Sequence, residues 1–234
     1  MSPSPQTYAV FMRHGEYEQP PGVPSAWLPH PLTDEGKRQA SAAADKIREL
    51  VAAHGAELSP SVHCSSLLRA VETARDVMSA LGLDEGGLVT TPALKERGLG
   101  SLANLRVSEI EEIARRDPRV GELPQGWKSA SHFRLPYAGA ESLYEAGARV
   151  ASYVDAISRS TAAGTNEART VLYVGHGAAF RHAAVALGVL EWSRVPELSM
   201  HHCDPILIER MADARWRHVA GDWKVRAAIS CGGD

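Results

Sequence analysis

Two histidines follow directly on short runs of apolar, β-branched residues. The run "YAVFM" leads into Arg13, His14 and Gly15, and the run "VLYVG" leads into His176 and Gly177. Such runs predict buried strands, and in open α/β sheets ligands bind at the carboxyl ends of the strands. Glycine at such a position lets backbone N–H groups approach a ligand closely. If the two strands are neighbours, both histidines face one pocket.

Two arginines indicate what such a pocket would bind. Arg13 precedes His14, and Arg69 in "SSLLRAVETA" falls in the first turn of a helix that follows another short strand. A guanidinium offers planar, bidentate donors to phosphate, and a helix N-terminus adds partial positive charge. The arginines therefore favour a phosphoester ligand. Two alternatives are that Arg69 is a solvated residue paired with Glu72, and that each histidine simply ends its strand with a satisfied hydrogen bond.

The chain alternates short β-branched runs with longer stretches of helical period, which predicts an α/β fold. The predicted strands are Tyr8 to Met12, Ser61 to Cys64, Leu88 to Thr90, residues 170–175, and a hairpin of "PILIERM" and "WRHVAG" that turns across residues 212–214. The predicted helices are one capped by Thr33 and ended by Gly55, one from Leu67 to Leu81, Val107 to Arg116, Glu141 to Ser160, and Ala178 to Leu187. Residues 121–139 lack any period and are interpreted as a lid.

Composition sets limits on the function. The 234 residues are 44% hydrophobic, which is enough for the core of a single domain spanning residues 1–234. The net charge of -3 provides no basic excess for nucleic acid, and no apolar run approaches the ~20 residues that cross a membrane. The three cysteines, Cys64, Cys203 and Cys231, show no paired spacing, and the N-terminus shows no signal-peptide pattern, which favours the cytoplasm.

Six blocks in order resemble the histidine phosphatase superfamily, which includes the cofactor-dependent phosphoglycerate mutases. They are "RHGE", "PLTDEGKRQA", "SSLLRAVETA", "LKERGLGSLANL", "GAESLYEAGARV" and "VGHGAAFRH". The resemblance implies a three-layer α/β/α sandwich with a mostly parallel central sheet. It also implies residue roles: His14 as the nucleophile that becomes phosphohistidine, Arg13, Arg69 and His176 as phosphoryl ligands, Glu96 as the proton donor, and Arg97 as a substrate contact.

The implied chemistry makes demands on each side chain. An imidazole attacks phosphorus only when it is unprotonated, so the far nitrogen of His14 should donate to a fixed acceptor, expected to be a backbone carbonyl near Gly15. The leaving alkoxide needs a proton from a carboxylic acid with a raised pKa, and Glu96 is the candidate. The alternative for Glu96 is a surface pairing with Lys95 or Arg97. No cofactor and no metal ion are expected.

Two departures from the mutases of this superfamily favour hydrolysis. Mutases carry an asparagine-containing loop after the nucleophile and a Gly-Asn pair after the second histidine. Here the loop reads "EYEQPPGVPSAWLPHP", and His176 and Gly177 are followed by Ala178. The sequence therefore predicts a phosphatase, with a mutase as the alternative. A phosphoprotein phosphatase and a non-catalytic phosphate-binding module also stay open.

Substrate recognition is assigned to two loop segments: residues 17–31, with Trp27 and His30, and residues 125–137, with Trp127, Lys128, His132 and Arg134. They carry aromatic and basic residues, which suggest a small phosphorylated metabolite with a planar or anionic remainder. The predicted substrate contacts beyond the phosphoryl site are Tyr17, Trp27, Trp127, Arg134, Arg97 and Gly177. Trp192, Trp216 and Trp223 are expected to be core or interface anchors, and together with the hairpin edge they make a homodimer plausible.

Two other constellations are weaker. Cys64 and Arg69 are separated by four residues, whereas a cysteine-dependent phosphatase loop needs five. His201 and His202 in "HHCD" are adjacent, would point to opposite faces of a strand, and find no second cluster that would complete a metal site.

Overall fold

A six-stranded sheet forms the centre of the structure, a computed structural model that describes residues 6–163 and 168–226. The strands are β1 (Thr7–Arg13), β2 (Glu57–Ser65), β3 (Leu88–Thr91), β4 (Arg169–Gly175), β5 (Leu198–Ser199), β6 (Pro205–Arg210), β7 (Trp216–Ala220) and β8 (Lys224–Val225). The sheet order is β3-β2-β4-β1-β6-β7. The first four strands pair in parallel, β6 is antiparallel to β1, and β7 is antiparallel to β6. Strands β5 and β8 pair separately. Cys231 lies outside the described residues.

Helices cover both faces of this sheet. They are α1 (Asp34–Ala53), α2 (Leu68–Leu81), α3 (Val107–Arg116), α4 (Leu143–Ala163) and α5 (Gly177–Ala186). Strand β1 shows why two layers form: Val10 and Met12 pack with α1 and α2, whereas Ala9 and Phe11 pack with α4 and α5. Both faces of a central strand are apolar, as a sheet buried between helices requires. The predicted α/β/α sandwich with a mostly parallel sheet is confirmed.

Most predicted elements are present, and their ends differ for local reasons. Strand β2 begins at Glu57, four residues before its prediction, and its pairing with β4 shifts register between Leu58 and Val62. Helix α4 begins at Leu143, because Ser142 and Glu145 exchange side-chain to backbone hydrogen bonds of 2.8 and 3.1 Å at its N-terminus. Strands β5 and β8 have two residues each, which is too short for a recognisable pattern.

The two long loops pack on small cores of their own. Residues 121–139 lie with α3 on a cluster that includes Leu102, Ile110, Trp127 and Leu135. Residues 17–31 pack on a second cluster formed by Tyr17, Val23, Leu28 and Leu32. In the described part of the chain, no helix combines the length and hydropathy of a membrane span.

The turn after β1 packs tightly against the start of α1. A Cβ atom on Gly15 would lie 2.5 Å from the carbonyl oxygen of Gly36, and one on Gly36 would collide with the carbonyl oxygen of Glu16. Thr33 caps α1 by accepting a hydrogen bond from the N–H of Gly36. The glycine after His14 is therefore required by helix packing, a reason that the sequence interpretation had not included.

Candidate active site

The two histidines lie at neighbouring strand ends. Strands β1 and β4 are parallel partners with Arg13 opposite Gly175, and the N–H of His14 donates to the carbonyl of Gly175 at 2.9 Å. The imidazole centroids of His14 and His176 are 5.1 Å apart, and both residues are buried. The two strands are therefore neighbours, which was the condition for the two histidines to share one site, and the two imidazoles lie close together.

The backbone orients the His14 ring. Nδ1 lies 2.7 Å from the carbonyl oxygen of Gly15, which is the acceptor predicted from the sequence. The peptides on both sides of Gly15 are held: the Gly15 N–H donates to Thr73 Oγ1 at 3.0 Å, and the Glu16 N–H, which shares a peptide with that carbonyl, donates to Gln39 Oε1 at 2.9 Å. Thr73 Oγ1 in turn donates to the Arg69 carbonyl at 2.6 Å. With its proton on Nδ1, the ring presents the Nε2 lone pair to the site.

Arg69 is fully buried and lies against both histidines. Its Nε donates to His14 Nε2 and its Nη2 approaches His176 Nδ1, each at 3.2 Å. Its Nη atoms also donate to backbone carbonyls of the 17–31 loop: Nη1 to Leu28 at 3.1 Å, and Nη2 to Ser25 and Ala26 at 2.6 and 3.0 Å. The loop carbonyls therefore hold the guanidinium with two donors aimed at nitrogens of the two histidine rings.

The alternative placing of Arg69 on the surface beside Glu72 is wrong. Glu72 accepts a hydrogen bond from the N–H of Leu32 at 2.7 Å instead. The ring of Tyr17 lies against the guanidinium, with 4.7 Å from the ring centroid to Cζ of Arg69, and stands edge-on to His14 at 5.3 Å. Tyr17 thus packs directly against Arg69 and His14. The sequence had predicted a contact to the substrate for this residue instead.

His176 and Arg13 complete the cluster. His176 Nε2 lies 2.8 Å from Ser65 Oγ, and Arg13 Nη1 donates to the carbonyl of Met200 at 3.1 Å. A Cβ atom on Gly177 would lie 3.2 Å from Cδ of Arg13, so the glycine leaves room for the arginine side chain. The cluster therefore contains two guanidinium and two imidazole groups around one point at the sheet edge.

Burial and neighbouring positive charge keep both imidazoles neutral. Burial, followed by the charges of Arg69 and Arg13, lowers the pKa of His14 well below its usual range. The pKa of His176 is also well below that range, again mainly through burial and next through Arg69. A neutral imidazole, such as that of His14 whose Nε2 lone pair here accepts from Arg69 Nε, is the form that can act as a nucleophile. The excess positive charge around it favours an anionic ligand.

Glu96 and Arg97 line a cleft of about 450 Å³ that opens beside this cluster. Glu96 Oε1 accepts a hydrogen bond from the backbone N–H of Arg97 at 2.9 Å, and Arg97 Nη2 donates to the carbonyl of Lys128 at 3.2 Å. Lys95 points elsewhere, with its Nζ 4.7 Å from the centroid of the Trp27 ring. The carboxylate of Glu96 is therefore available to the cleft rather than paired with Lys95.

Three predicted substrate contacts lie elsewhere. Trp127 is buried in the cluster under α3 and donates its indole N–H to Glu111 at 3.0 Å. Trp27 donates to the backbone carbonyl of Glu96 at 3.2 Å and lines a separate cavity of about 260 Å³. Arg134 is exposed and pairs with Glu145 at 3.2 Å. The two tryptophans are packed against neighbouring residues, and the charge of Arg134 is paired with Glu145. Sequence patterns in an irregular loop do not show such contacts.

The site also uses residues that the sequence interpretation missed. Thr73 accepts from the N–H of Gly15, Ser65 Oγ lies 2.8 Å from His176 Nε2, and His202 Nδ1 lies 2.7 Å from the carbonyl of His14. The spacing of Arg69 and Thr73, one helical turn, is a signal that could have found Thr73. Cys64 is buried in the core, which raises the pKa of its thiol to about 12, so it is not a thiolate nucleophile.

The fold and the site together define an α/β enzyme of phosphoryl transfer. The chain belongs to the histidine phosphatase superfamily (branch 1), whose family model matches residues 9–221.

Similar proteins include both mutases and phosphatases. A 2,3-bisphosphoglycerate-dependent phosphoglycerate mutase of Bartonella henselae is 30% identical over 76% of this chain and 80% of its own. Another, from Methylobacterium radiotolerans, is 29% identical over 87% of this chain and 90% of its own. Among solved structures, a mycobacterial glucosyl-3-phosphoglycerate phosphatase superposes with a TM-score of 0.66 at 24% identity, over 94% of this chain and 99% of that one.

The buried neutral histidines predict how stability depends on pH. Burial lowers the pKa of His182 to about 4, and His182 Nε2 lies 3.0 Å from Ser131 Oγ. Because the folded pKa lies below the unfolded value near 6.5, the unfolded chain binds more protons as the pH falls below 6.5, and stability decreases by about 1.4 kcal/mol per pH unit for each such histidine. Urea unfolding at pH 7.5 and pH 5 should show this loss.

A variant isolates one contribution to the pH dependence. His182→Gln should show a smaller loss of unfolding free energy between pH 7.5 and pH 5 than the wild type, by about one histidine's share. His201→Gln, a substitution on the surface, is the control and should leave the loss unchanged. A wild-type unfolding free energy that stays level between the two pH values would contradict the prediction.

Proposed function

We propose that this chain is a phosphatase that hydrolyses a small phosphomonoester through a phosphohistidine formed on His14, without a metal ion. The observation that carries the proposal is the pair of hydrogen bonds that orients His14: Nδ1 to the Gly15 carbonyl and Nε2 to Nε of Arg69. A neutral imidazole held in this way has one nucleophilic nitrogen and one direction of attack.

In the first step, the bound phosphoryl oxygens take over the Nε and Nη2 donors of Arg69 from the two imidazoles, and the freed His14 Nε2 attacks phosphorus while the ester oxygen leaves. Charge builds on the equatorial oxygens, and Arg13 and Arg69 supply fixed donors to them, so they stabilise the transition state more than the ground state. The phosphoryl dianion also favours the protonated form of His176, whose Nδ1 then donates to a phosphoryl oxygen. Glu96, which lines the cleft, gives its proton to the leaving alkoxide.

In the second step, water replaces the alkoxide. The Glu96 carboxylate, which lost its proton in the first step, takes one from the water as the water attacks phosphorus, and the P–N bond to His14 breaks. Inorganic phosphate leaves, and Glu96 is again protonated. The same carboxyl thus acts first as the acid and then as the base, and each cycle ends with every proton restored.

The absence of asparagine at two places in this chain favours hydrolysis over phosphoryl re-transfer. The loop after the nucleophile contains no asparagine, and His176-Gly177 is followed by Ala178 where mutases carry asparagine. The second candidate is a phosphoglycerate mutase, because the curated relatives are named as such at up to 30% identity. We place the phosphatase in a reducing compartment, the cytoplasm, since its buried cysteines Cys64 and Cys203 are free.

A single assay separates the two activities. The enzyme is incubated in EDTA with a panel of phosphomonoesters that includes p-nitrophenyl phosphate and 3-phosphoglycerate, with and without 2,3-bisphosphoglycerate. Inorganic phosphate and 2-phosphoglycerate are both measured. We expect phosphate release that resists the chelator and no isomerised product. Formation of 2-phosphoglycerate without net phosphate release would identify a mutase instead, and activity that requires added metal would contradict the metal-independent mechanism.

A further inference from the structure

The cleft beside the catalytic cluster carries more positive charge than a phosphoryl group needs. Arg13 and Arg69 already face the phosphoryl position. Four further cations line the cleft: Arg97, Lys128, Arg181 and Arg226. Among the described residues of this lining, Glu96 is the one carboxylate. A second group of cations in one cleft needs a second source of negative charge.

Of the cleft cations that the structure describes, Arg181 most clearly lacks a negatively charged partner. It projects from α5, is 4% exposed, and donates through Nη1 to the carbonyl of Leu198, whereas its buried Nε has no hydrogen-bond partner. Within residues 6–163 and 168–226 it forms no salt bridge. A buried guanidinium without a counter-ion is costly, and an anionic ligand in the cleft would offset that cost. Burial, and next the charge of Arg226, lowers the pKa of Arg181 to about 10.

The small β5–β8 sheet brings Arg226 to the same place. Arg226 follows β8, and its N–H donates to the carbonyl of Glu197 at 2.8 Å, directly before β5. The β5 residue Leu198 is also the acceptor of the Arg181 hydrogen bond. Arg181 and Arg226 are 45 residues apart in the sequence. Both nevertheless bond to the chain at the start of β5. Lys128 approaches from the opposite loop, where its carbonyl holds Arg97.

We propose that Lys128, Arg181 and Arg226 form a second anion subsite, so that the substrate carries a second acidic group, a carboxylate or a phosphate, on the part that leaves as the alcohol. This inference rests on the proposed phosphatase function, because that function assigns the phosphoryl position to His14. The subsite selects substrates by charge at the end remote from the scissile bond. It also explains why Arg181 is buried without a carboxylate partner.

Three esters of one carbon skeleton test the subsite: propane-1,3-diol monophosphate, 3-(phosphonooxy)propanoate and propane-1,3-diol bisphosphate. They differ in the remote group, which is a hydroxyl, a carboxylate or a phosphate. None of them has a hydroxyl on C2, so the phosphoryl group cannot be moved to that carbon. Binding is measured by calorimetry on a His14→Asn variant, which removes the nucleophile, and phosphate release is measured on the wild type. The two measurements separate the subsite from the proposed chemistry.

At least one of the two esters with an acidic remote group should bind about tenfold or more tightly than the hydroxyl ester, as expected for a charge-assisted contact. Which of the two binds more tightly distinguishes a carboxylate from a phosphate subsite. The exposed-residue variants Arg226→Gln and Lys128→Gln should reduce this preference several-fold, and Arg48→Gln on α1, which makes the same change of charge outside the cleft, should not.

Equal affinity for all three esters, or a preference unaffected by both variants, would overturn the subsite even if the wild type releases phosphate. Conversely, a clear preference in binding without any phosphate release from the wild type would sustain the subsite and count against the phosphatase proposal.

Discussion

The His14→Asn variant should release phosphate at least roughly 10⁴-fold more slowly than the wild type, because it lacks the nucleophile. Asparagine is the informative replacement. Its amide N–H can still donate to the carbonyl of Gly15, as Nδ1 of His14 does at 2.7 Å, so the turn after β1 keeps its hydrogen bond. The loss then reports on the missing Nε2 lone pair rather than on a disturbed backbone.

Trapping the intermediate gives a second readout for the same prediction. Rapid quenching of the wild type under alkaline conditions should yield a phosphate adduct on His14 that is labile to acid, visible by mass spectrometry, and absent from His14→Asn. The matched control is His63→Asn, a change at a buried histidine that bonds to Tyr153 away from the cluster, and it should keep the adduct. Substantial turnover by His14→Asn would reject the covalent mechanism.

The Arg69→Lys variant should lose roughly 10²- to 10³-fold in kcat/KM, as when a transition-state donor is removed. Lysine keeps the charge but has a single ammonium group. The guanidinium of Arg69 contacts His14, His176 and three loop carbonyls through all three of its nitrogens, a set of contacts that one ammonium nitrogen cannot reproduce. Steady-state kinetics on the best ester of the panel would measure the loss.

The same substitution should also lower the free energy of unfolding by about 1–3 kcal/mol, because buried carbonyls such as that of Leu28 lose their donor. Urea unfolding at pH 7.5 would measure this change. Arg48→Lys, an equivalent change on the exposed surface of α1, is the control and should affect neither quantity. A loss of less than about tenfold in kcat/KM would show that charge alone, rather than the forked geometry, is what the site requires.

Much of the site could be predicted from the sequence because it depends on local order. His14 and His176 each follow an apolar run, and such a run ends at the sheet edge where ligands bind in α/β folds. The acceptor for His14 Nδ1 could be predicted as well, because a side chain reaches the carbonyl of the next residue without help from distant parts of the chain. Helix α1 was recognisable from the Thr33 cap and the helical period of its buried residues.

The substrate contacts in the loops were harder to predict from the sequence, because composition does not show which way a side chain points. Trp127 and Trp27 both fit an aromatic lining for the cleft, yet one is packed beneath α3 and the other supports the segment that carries Glu96. An irregular segment has no repeating pattern of apolar residues that would indicate its buried face. The direction of each side chain is therefore decided by tertiary packing alone.

By itself, the sequence determined the fold class, the family and which residues form the candidate site, because each depends on patterns and motifs within a few residues. The tertiary structure decided what those residues meet. It alone shows that Arg69 is clamped by loop carbonyls, that Thr73 fixes the peptide of Gly15, and that Arg181 and Arg226 converge on β5. These contacts join residues far apart along the chain, and the burial that creates their electrostatics exists only once both sides of the sheet are packed.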